Sequence, residues 1–301
     1  MPKIALVTTR VARPTDEDLA PLEQALAAQG AQVSIVDWDD SAIDWSGFDL
    51  SVLRSCWDYT DRIVEFLAWA GRISGQTCLL NPFEVVRWNT DKHYLAELAK
   101  KDVAIVPSAF VEPGDDAASA LHAFLQDHPD CAEIVIKPAI GAGSRDTQRH
   151  GRGRTDAATA HIARLLDAGR SVLLQPYLDR VDEAGETALI HFDGQFSHAI
   201  RKGPLLRPDE GPTTELYATE QIDPREASAD ELELAARVLA ALPFANLPAY
   251  ARVDLIRADD GTPVLLELEL TEPSLFFDHA AGSAQRFATC LLAHCRSEGQ
   301  G

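Results

Sequence analysis

Leu265-Leu266-Glu267-Leu268-Glu269-Leu270 alternates apolar and acidic residues, the pattern of a β-strand with one wet face and one buried face. Glu267 and Glu269 point one way, and Leu266, Leu268 and Leu270 the other. Two carboxylates roughly 7 Å apart on so apolar a ribbon repel one another unless a positive charge lies between them. Upstream, residues 250–258 read as the partner strand of a hairpin turning at Asp259-Asp260-Gly261. With a four-residue loop, Ala258 faces Pro263, Asp254 faces Glu267 and Arg252 faces Glu269. Three carboxylates and one guanidinium then share a face. Hard oxygen donors in that number, joined by phosphates, suit magnesium. A solvated strand face is the competing reading of the same pattern, and a slip of one residue would turn Asp254 away.

Working outward, residues 133–137 form a strand that ends in Lys137-Pro138, followed by Gly141-Ala142-Gly143-Ser144. A loop of that kind can close on phosphates through backbone N–H groups and the serine hydroxyl. It lacks the Gly-Lys-Ser/Thr of a P-loop, and no GxGxxG opens a helix after the first strand. Lys92 sits at the start of a helix expected over residues 90–101, where the helix dipole does not favour it. Gln175-Pro176-Tyr177-Leu178 leaves a strand over residues 171–175, and can present backbone groups to an adenine between Tyr177 and Leu178. Glu186 is a candidate acceptor for ribose hydroxyls. Arg201 and Lys202 are candidates to meet developing phosphate charge. HExxH and Gly-x-Ser-x-Gly are absent, so neither a zinc protease nor a serine hydrolase is indicated.

The amino-terminal part alternates strands (residues 3–8, 32–36, 48–53) with helices (15–28, 63–73), as a parallel α/β lobe does. Thr15 is the expected N-cap of the first helix. Ligands of such sheets lie beyond the carboxyl ends of the strands, where Thr9, Arg10, Arg54, Trp57, Asp58 and Tyr59 fall; a core role for the aromatics and an Arg54–Asp58 pair is the alternative. Ser274 joins the candidate substrate residues. A hairpin over residues 185–201 turns at Asp193-Gly194. Residues 203–228 form a long loop whose first part, 203–217, is expected to set specificity. A last helix runs over residues 281–295. Domain boundaries are expected at residues 1–86, 87–176 and 177–301.

The 301 residues are 46% hydrophobic and carry a net charge of -20. So acidic a surface repels nucleic acid, and a phosphate ligand needs a local basic pocket. No apolar run is long enough to span a membrane, and no signal peptide opens the chain, so a cytoplasmic location is expected. Five cysteines without a CxxC pair are expected to be reduced thiols, with Cys56 nearest the candidate residues.

In this order the motifs resemble the ATP-grasp superfamily, in particular ligases of the glutathione synthetase and ribosomal-S6-modification type. Arg54-Ser55-Cys56-Trp57-Asp58-Tyr59 and Glu272-Pro273-Ser274-Leu275-Phe276 are also similar to the D-cycloserine-forming ligases. The resemblance implies an α/β (α+β) ATP-grasp fold, with a parallel α/β lobe ahead of two subdomains that enclose the nucleotide. It implies ATP and Mg²⁺, with Lys92, Lys137 and residues Gly141, Ala142, Gly143 and Ser144 on the phosphates. Gln175, Pro176, Tyr177 and Leu178 become the adenine hinge, Glu186 the acid after it, and Asp254, Glu267 and Glu269 the metal ligands. Arg252, Lys202 and Arg201 share the reacting end. Glu269 departs from the Glu-x-Asn common in the family. An acylphosphate made from a small amino-acid-like carboxylate, then C–N bond formation between two molecules or within one, is the implied chemistry. An ATP-binding regulatory protein without chemistry is the alternative. Dimers are common in the resembled family, so a homodimer is among the expectations.

Overall fold

The computed structural model of the protein describes residues 1–208, 211 and 221–297. A parallel four-stranded sheet comes first, with Gln32–Asp37, Lys3–Thr8, Leu50–Leu53 and Cys78–Leu80 side by side. Ile4, Ala5, Leu6 and Val7 are all fully buried, because crossover helices cover both faces of a parallel sheet. One of these helices, Ile63–Ile73, buries Phe66, Trp69, Ala70 and Ile73 at helical spacing. Trp38 and Trp45 complete the packing, 5.4 Å from Phe66 and 5.3 Å from Trp69 respectively.

The first helix starts at Leu19, not at Thr15. The Thr15 hydroxyl donates to the carbonyl of Ala12. Asp18 looks away from its own helix: its carboxylate accepts the backbone N–H groups of Leu275, Phe276 and Phe277 at 2.5, 3.2 and 2.9 Å. A local capping signal is thus spent on a contact more than 250 residues away in sequence.

Two antiparallel sheets follow. One has the order Ala109–Val111, Val172–Pro176, Glu133–Pro138, Gln148–Gly151. The other has the order Ile222–Arg225, Gln195–Lys202, Glu186–Phe192, Tyr250–Arg257, Pro263–Glu269. Strands Cys78–Leu80, Gln148–Gly151 and Ile222–Arg225 were not expected from the sequence; at three or four residues they are too short to show a period. The helix expected over residues 90–101 is confined to Tyr94–Ala99, and an unexpected helix, Phe83–Asn89, precedes it, with Thr90 closing that one rather than opening the next. Lys92 therefore lies in the turn between them, its backbone N–H donating to Ala139 at 2.9 Å. The last helix, Ser283–Ser297, packs on Leu19–Ala28 through Phe287, Leu291, Leu22 and Leu26. Among the described residues no helix is long and apolar enough to cross a membrane.

Candidate active site

Pro263–Glu269 is an edge strand, and an edge exposes backbone groups that need partners. Buried side chains supply them here. The Tyr94 hydroxyl accepts the Leu268 N–H at 2.9 Å. Asn89 accepts from Leu270 N–H at 2.6 Å and donates to the Leu268 carbonyl at 2.8 Å. Asn81 donates to the Leu270 carbonyl at 2.6 Å. Leu268 and Leu270 are thus fixed from outside, which aims Glu267 and Glu269 into the cleft.

Across the hairpin, Asp254 faces Glu267 and Arg252 faces Glu269, but by a different route from the expected one. Arg257, not Ala258, faces Pro263, and the Ala258 N–H donates to the Thr262 carbonyl at 2.9 Å, so the loop is one residue tighter than expected. A β-bulge at Leu266 restores the register. Its consequence is local: Leu265 goes into the core with Leu268 and Leu270, while Leu266 lines the cleft beside the two glutamates.

Four cations enter this face. Arg252 grips Asp254 through Nε and Nη2 at 2.9 and 2.8 Å and also pairs with Glu269. Lys202 Nζ is 2.9 Å from Asp254 and pairs with Glu186. Lys92 Nζ is 3.0 Å from Glu267, and Lys137 Nζ is 3.9 Å from its other oxygen. Burial pushes the Asp254 and Glu267 carboxyls up, but Arg252 with Lys202, and Lys92 with Lys137, outweigh it and hold both below their ordinary values. Burial lowers the Lys137 ammonium, and Lys92 adds to that effect. Glu269 behaves differently. Burial first, then Asp254 and Glu267, carry its carboxyl up to about 7 despite Arg252. Convergent carboxylates, one of them pushed up by burial and by its like-charged neighbours, fit a hard divalent cation, which would relieve that repulsion. The strongly acidic chain thus gathers cations in one cleft, where carboxylates match them.

On the other wall, Lys92 Nζ donates to the Gly141 carbonyl at 2.7 Å, and residues 141–144 border the cleft. Gly143 turns with a φ of +59°, a conformation glycine adopts without strain. Arg145 ties the loop to Asp61 at 2.5 Å. The Gln175 amide donates to Ser108 at 3.0 Å, while the Arg149 guanidinium lies 3.5 Å from the centre of the Tyr177 ring. Tyr177 N–H is taken by the Glu133 carbonyl. Val106, Val135, Leu178, Ile256 and Leu266 supply apolar lining. Residues 203–206 of the expected specificity loop line the cleft; its residues 209–210 and 212–217 lie outside the described residues.

Several expected site residues stand elsewhere. Arg201 is next to Lys202 on a strand, so it points to the opposite face, where it donates to the carbonyls of Ala184 and Glu183. We expect Arg201→Ala to leave kcat within a factor of about three, and Lys202→Met to lower it about 10²–10³-fold, in steady-state assays of ADP release. Thr9 donates to Asp58, which also accepts from Trp38 and from Arg62 rather than Arg54. Arg10 is exposed, and Cys56 is buried with its thiol pushed up by that burial. Arg54 is buried, 3.7 Å from Asp18, and donates to the Pro273 carbonyl at 2.7 Å. Thr9, Arg10, Arg54, Asp58 and Tyr59 do not border the cleft; Trp57 and Ser274 do. Arg54 and Asp18, with Trp57 donating to the Glu272 carbonyl at 3.1 Å, instead fasten residues 272–277 to the first lobe.

Glu272 was missed as a site residue. It follows the strand end, so alternation does not reach it, yet it borders the cleft. Tyr59 hydrogen-bonds it from behind. Burial, reinforced by Glu269, carries its carboxyl up to about 8. In the folded, ligand-free protein Glu269 and Glu272 keep protons that the unfolded chain loses above about pH 4.5. The folded state then binds more protons than the unfolded one, and stability falls as pH rises toward 8. We expect the melting temperature of the ligand-free protein to drop from about pH 5 to about pH 8, and Glu272→Gln to remove much of that drop. Scanning fluorimetry of both proteins across this range checks it; parallel profiles contradict it.

The family described as the D-cycloserine synthetase DcsG N-terminal domain matches residues 4–81. The chain is 43% identical over 292 residues to the cycloserine biosynthesis protein DcsG of Streptomyces lavendulae, covering 96% of this chain and 97% of that one. The crystal structure of D-cycloserine synthetase DcsG superposes with a TM-score of 0.91 at 42% identity, over 97% of this chain and 99% of that one. A D-alanine–D-alanine ligase from Bacillus anthracis shares the fold, with a TM-score of 0.67 at 14% identity and full coverage of both chains. Whole-length identity of this order, on a fold shared with ATP-grasp ligases, makes the chain a member of the DcsG family of ATP-grasp ligases.

Proposed function

We propose that the protein uses Mg-ATP to activate the carboxylate of a small amino-acid-like substrate, and then closes a C–N bond within the same molecule to give a cycloserine-type ring. The observation that carries this reading is the convergence of Lys92, Lys137, Lys202 and Arg252 with Asp254, Glu267 and Glu269 in one cleft. The whole-length likeness to a cycloserine biosynthesis protein favours ring closure over joining two molecules.

Adenine would lie along Gln175, Pro176, Tyr177 and Leu178, with ribose toward Glu186. Lys92 and Lys137, with the N–H groups of Gly141 to Ser144, would take the phosphates. Asp254, Glu267 and Glu269 would hold magnesium, which supplies charge neutralisation at the phosphate oxygens. A substrate carboxylate oxygen attacks the γ-phosphorus, the bond to ADP breaks, and an acylphosphate forms. Lys202 and Arg252 would meet the charge that develops there. The side-chain nitrogen of the substrate then attacks the acyl carbon, loses a proton, and expels phosphate. The glycine loop, latched by Arg145 to Asp61, would keep water from the acylphosphate. Trp57, Glu272 and Ser274 would face the substrate.

The test is ADP release with Mg-ATP and single amino acids that carry a nitrogen nucleophile on the side chain. One ADP and one phosphate per cyclic product, with no added amine, is the expected result. ADP release only when a second amine is added would replace ring closure by intermolecular ligation. Tight ATP binding with no ADP from any substrate would leave a nucleotide-binding protein without chemistry.

A further inference from the structure

Far from the cleft, the last helix carries Cys290 and His294 one turn apart, so both project on the face that also bears Phe287. That face meets the hairpin turn Asp193-Gly194. Phe287 stacks on Phe192 with ring centres 4.6 Å apart, which fixes the helix against the residue before the turn. Asp193 is held at φ +47° with its N–H on the Ala249 carbonyl at 2.9 Å. Gly194 turns at φ +74°, where any other residue would be strained. The two oxygens of Asp193 are thereby presented separately to the helix: His294 Nε2 is 2.7 Å from one and Cys290 Sγ 3.1 Å from the other.

We propose that Asp193, Cys290 and His294 form a binding site for a zinc-class divalent cation that pins the C-terminal helix to the 193–194 turn. One ligand atom from each of the three residues lies within 4.8 Å of the others. Zinc bonds of about 2.0–2.3 Å place tetrahedral ligand atoms roughly 3.3–3.8 Å apart, so an ion would take the place of the two hydrogen bonds to Asp193 after small side-chain shifts. The donors differ in kind from those of the cleft. A soft sulfur and an imidazole select zinc over magnesium, whereas the cleft carboxylates favour magnesium. Binding converts the Cys290 thiol to a thiolate and releases its proton to solvent. Asp193 is exposed and Cys290 and His294 are partly so, which gives the ion a path in and leaves a fourth position for water.

The experiment titrates the full chain, saturated with magnesium, with Co²⁺ as a spectroscopic stand-in for zinc. One equivalent with a thiolate-to-cobalt absorption band is expected, and added zinc should displace it. Cys290→Ser should abolish the band, Cys295→Ser should keep it, and His294→Gln should weaken cobalt binding about tenfold or more. Zinc should raise the melting temperature of the wild type but not that of Cys290→Ser. Folding of each variant is read from its circular dichroism without metal. Cobalt held by the cleft carboxylates gives no thiolate band, so the two sites are told apart. No band at saturating cobalt, or a band that survives Cys290→Ser, would reduce the cluster to a hydrogen-bonded staple and overturn the proposal.

Discussion

Glu267→Gln is expected to lower kcat about 10²–10³-fold while circular dichroism stays unchanged. The substitution keeps shape and removes one charge. Two consequences oppose each other. Lys92 and Lys137 lose the carboxylate that holds them at 3.0 and 3.9 Å, so they are free to meet phosphates. The proposed metal set drops from three carboxylates to two. ATP binding measured without magnesium should therefore be kept or strengthened, and the gain on adding magnesium should shrink. Calorimetry with and without magnesium separates the two. A variant that keeps turnover would remove Glu267 from the reaction. One that loses its fold would make it a structural partner of the lysines.

Arg252→Leu should be costly twice over. The guanidinium makes a two-point contact to Asp254, pairs with Glu269 and donates to the Ser274 carbonyl at 3.2 Å. Without it Asp254, which is 1% exposed, keeps Lys202 as its paired cation, and Glu269 keeps only the weaker pull of that same Lys202 against Asp254 and Glu267. Breaking such a buried pair from one side costs about 3–5 kcal/mol. Urea titration of the ligand-free protein should show that loss, and the variant should release no ADP. Arg252→Lys should restore part of the stability and little of the activity, because an ammonium cannot span two carboxylates as the planar fork does. Equal rescue of both would mean that charge alone matters at this position.

The parts legible in the sequence are those written in local periodicity. The hairpin pairing of Arg252 with Glu269 and Asp254 with Glu267 followed from alternation and a turn signal, although a tight loop and the Leu266 bulge compensate one another to produce it. Helix Ile63–Ile73 fell at its expected bounds. What stayed hidden depends on contacts distant in sequence. Nothing local marks Asn81, Asn89 and Tyr94 as the groups that cover the acidic strand's edge. Asp18 carries a capping signal but serves residues 275–277. Arg54 and Tyr59 come near the substrate end only through the segment they support, since they hold or back residues 272 and 273 rather than bordering the cleft. Arg201 is the simplest case: the strand neighbour of a cleft-lining residue, Lys202, belongs to the other face.

Phosphorylation of the substrate's own carboxylate by ATP before the ring closes is tested most directly by giving the enzyme Mg-ATP and one cyclisable amino acid whose carboxylate carries a heavy-oxygen label, and following the released phosphate by mass spectrometry. One labelled oxygen in each phosphate, with one ADP per ring formed and no added amine, is the predicted result. Ring formation with unlabelled phosphate would contradict it.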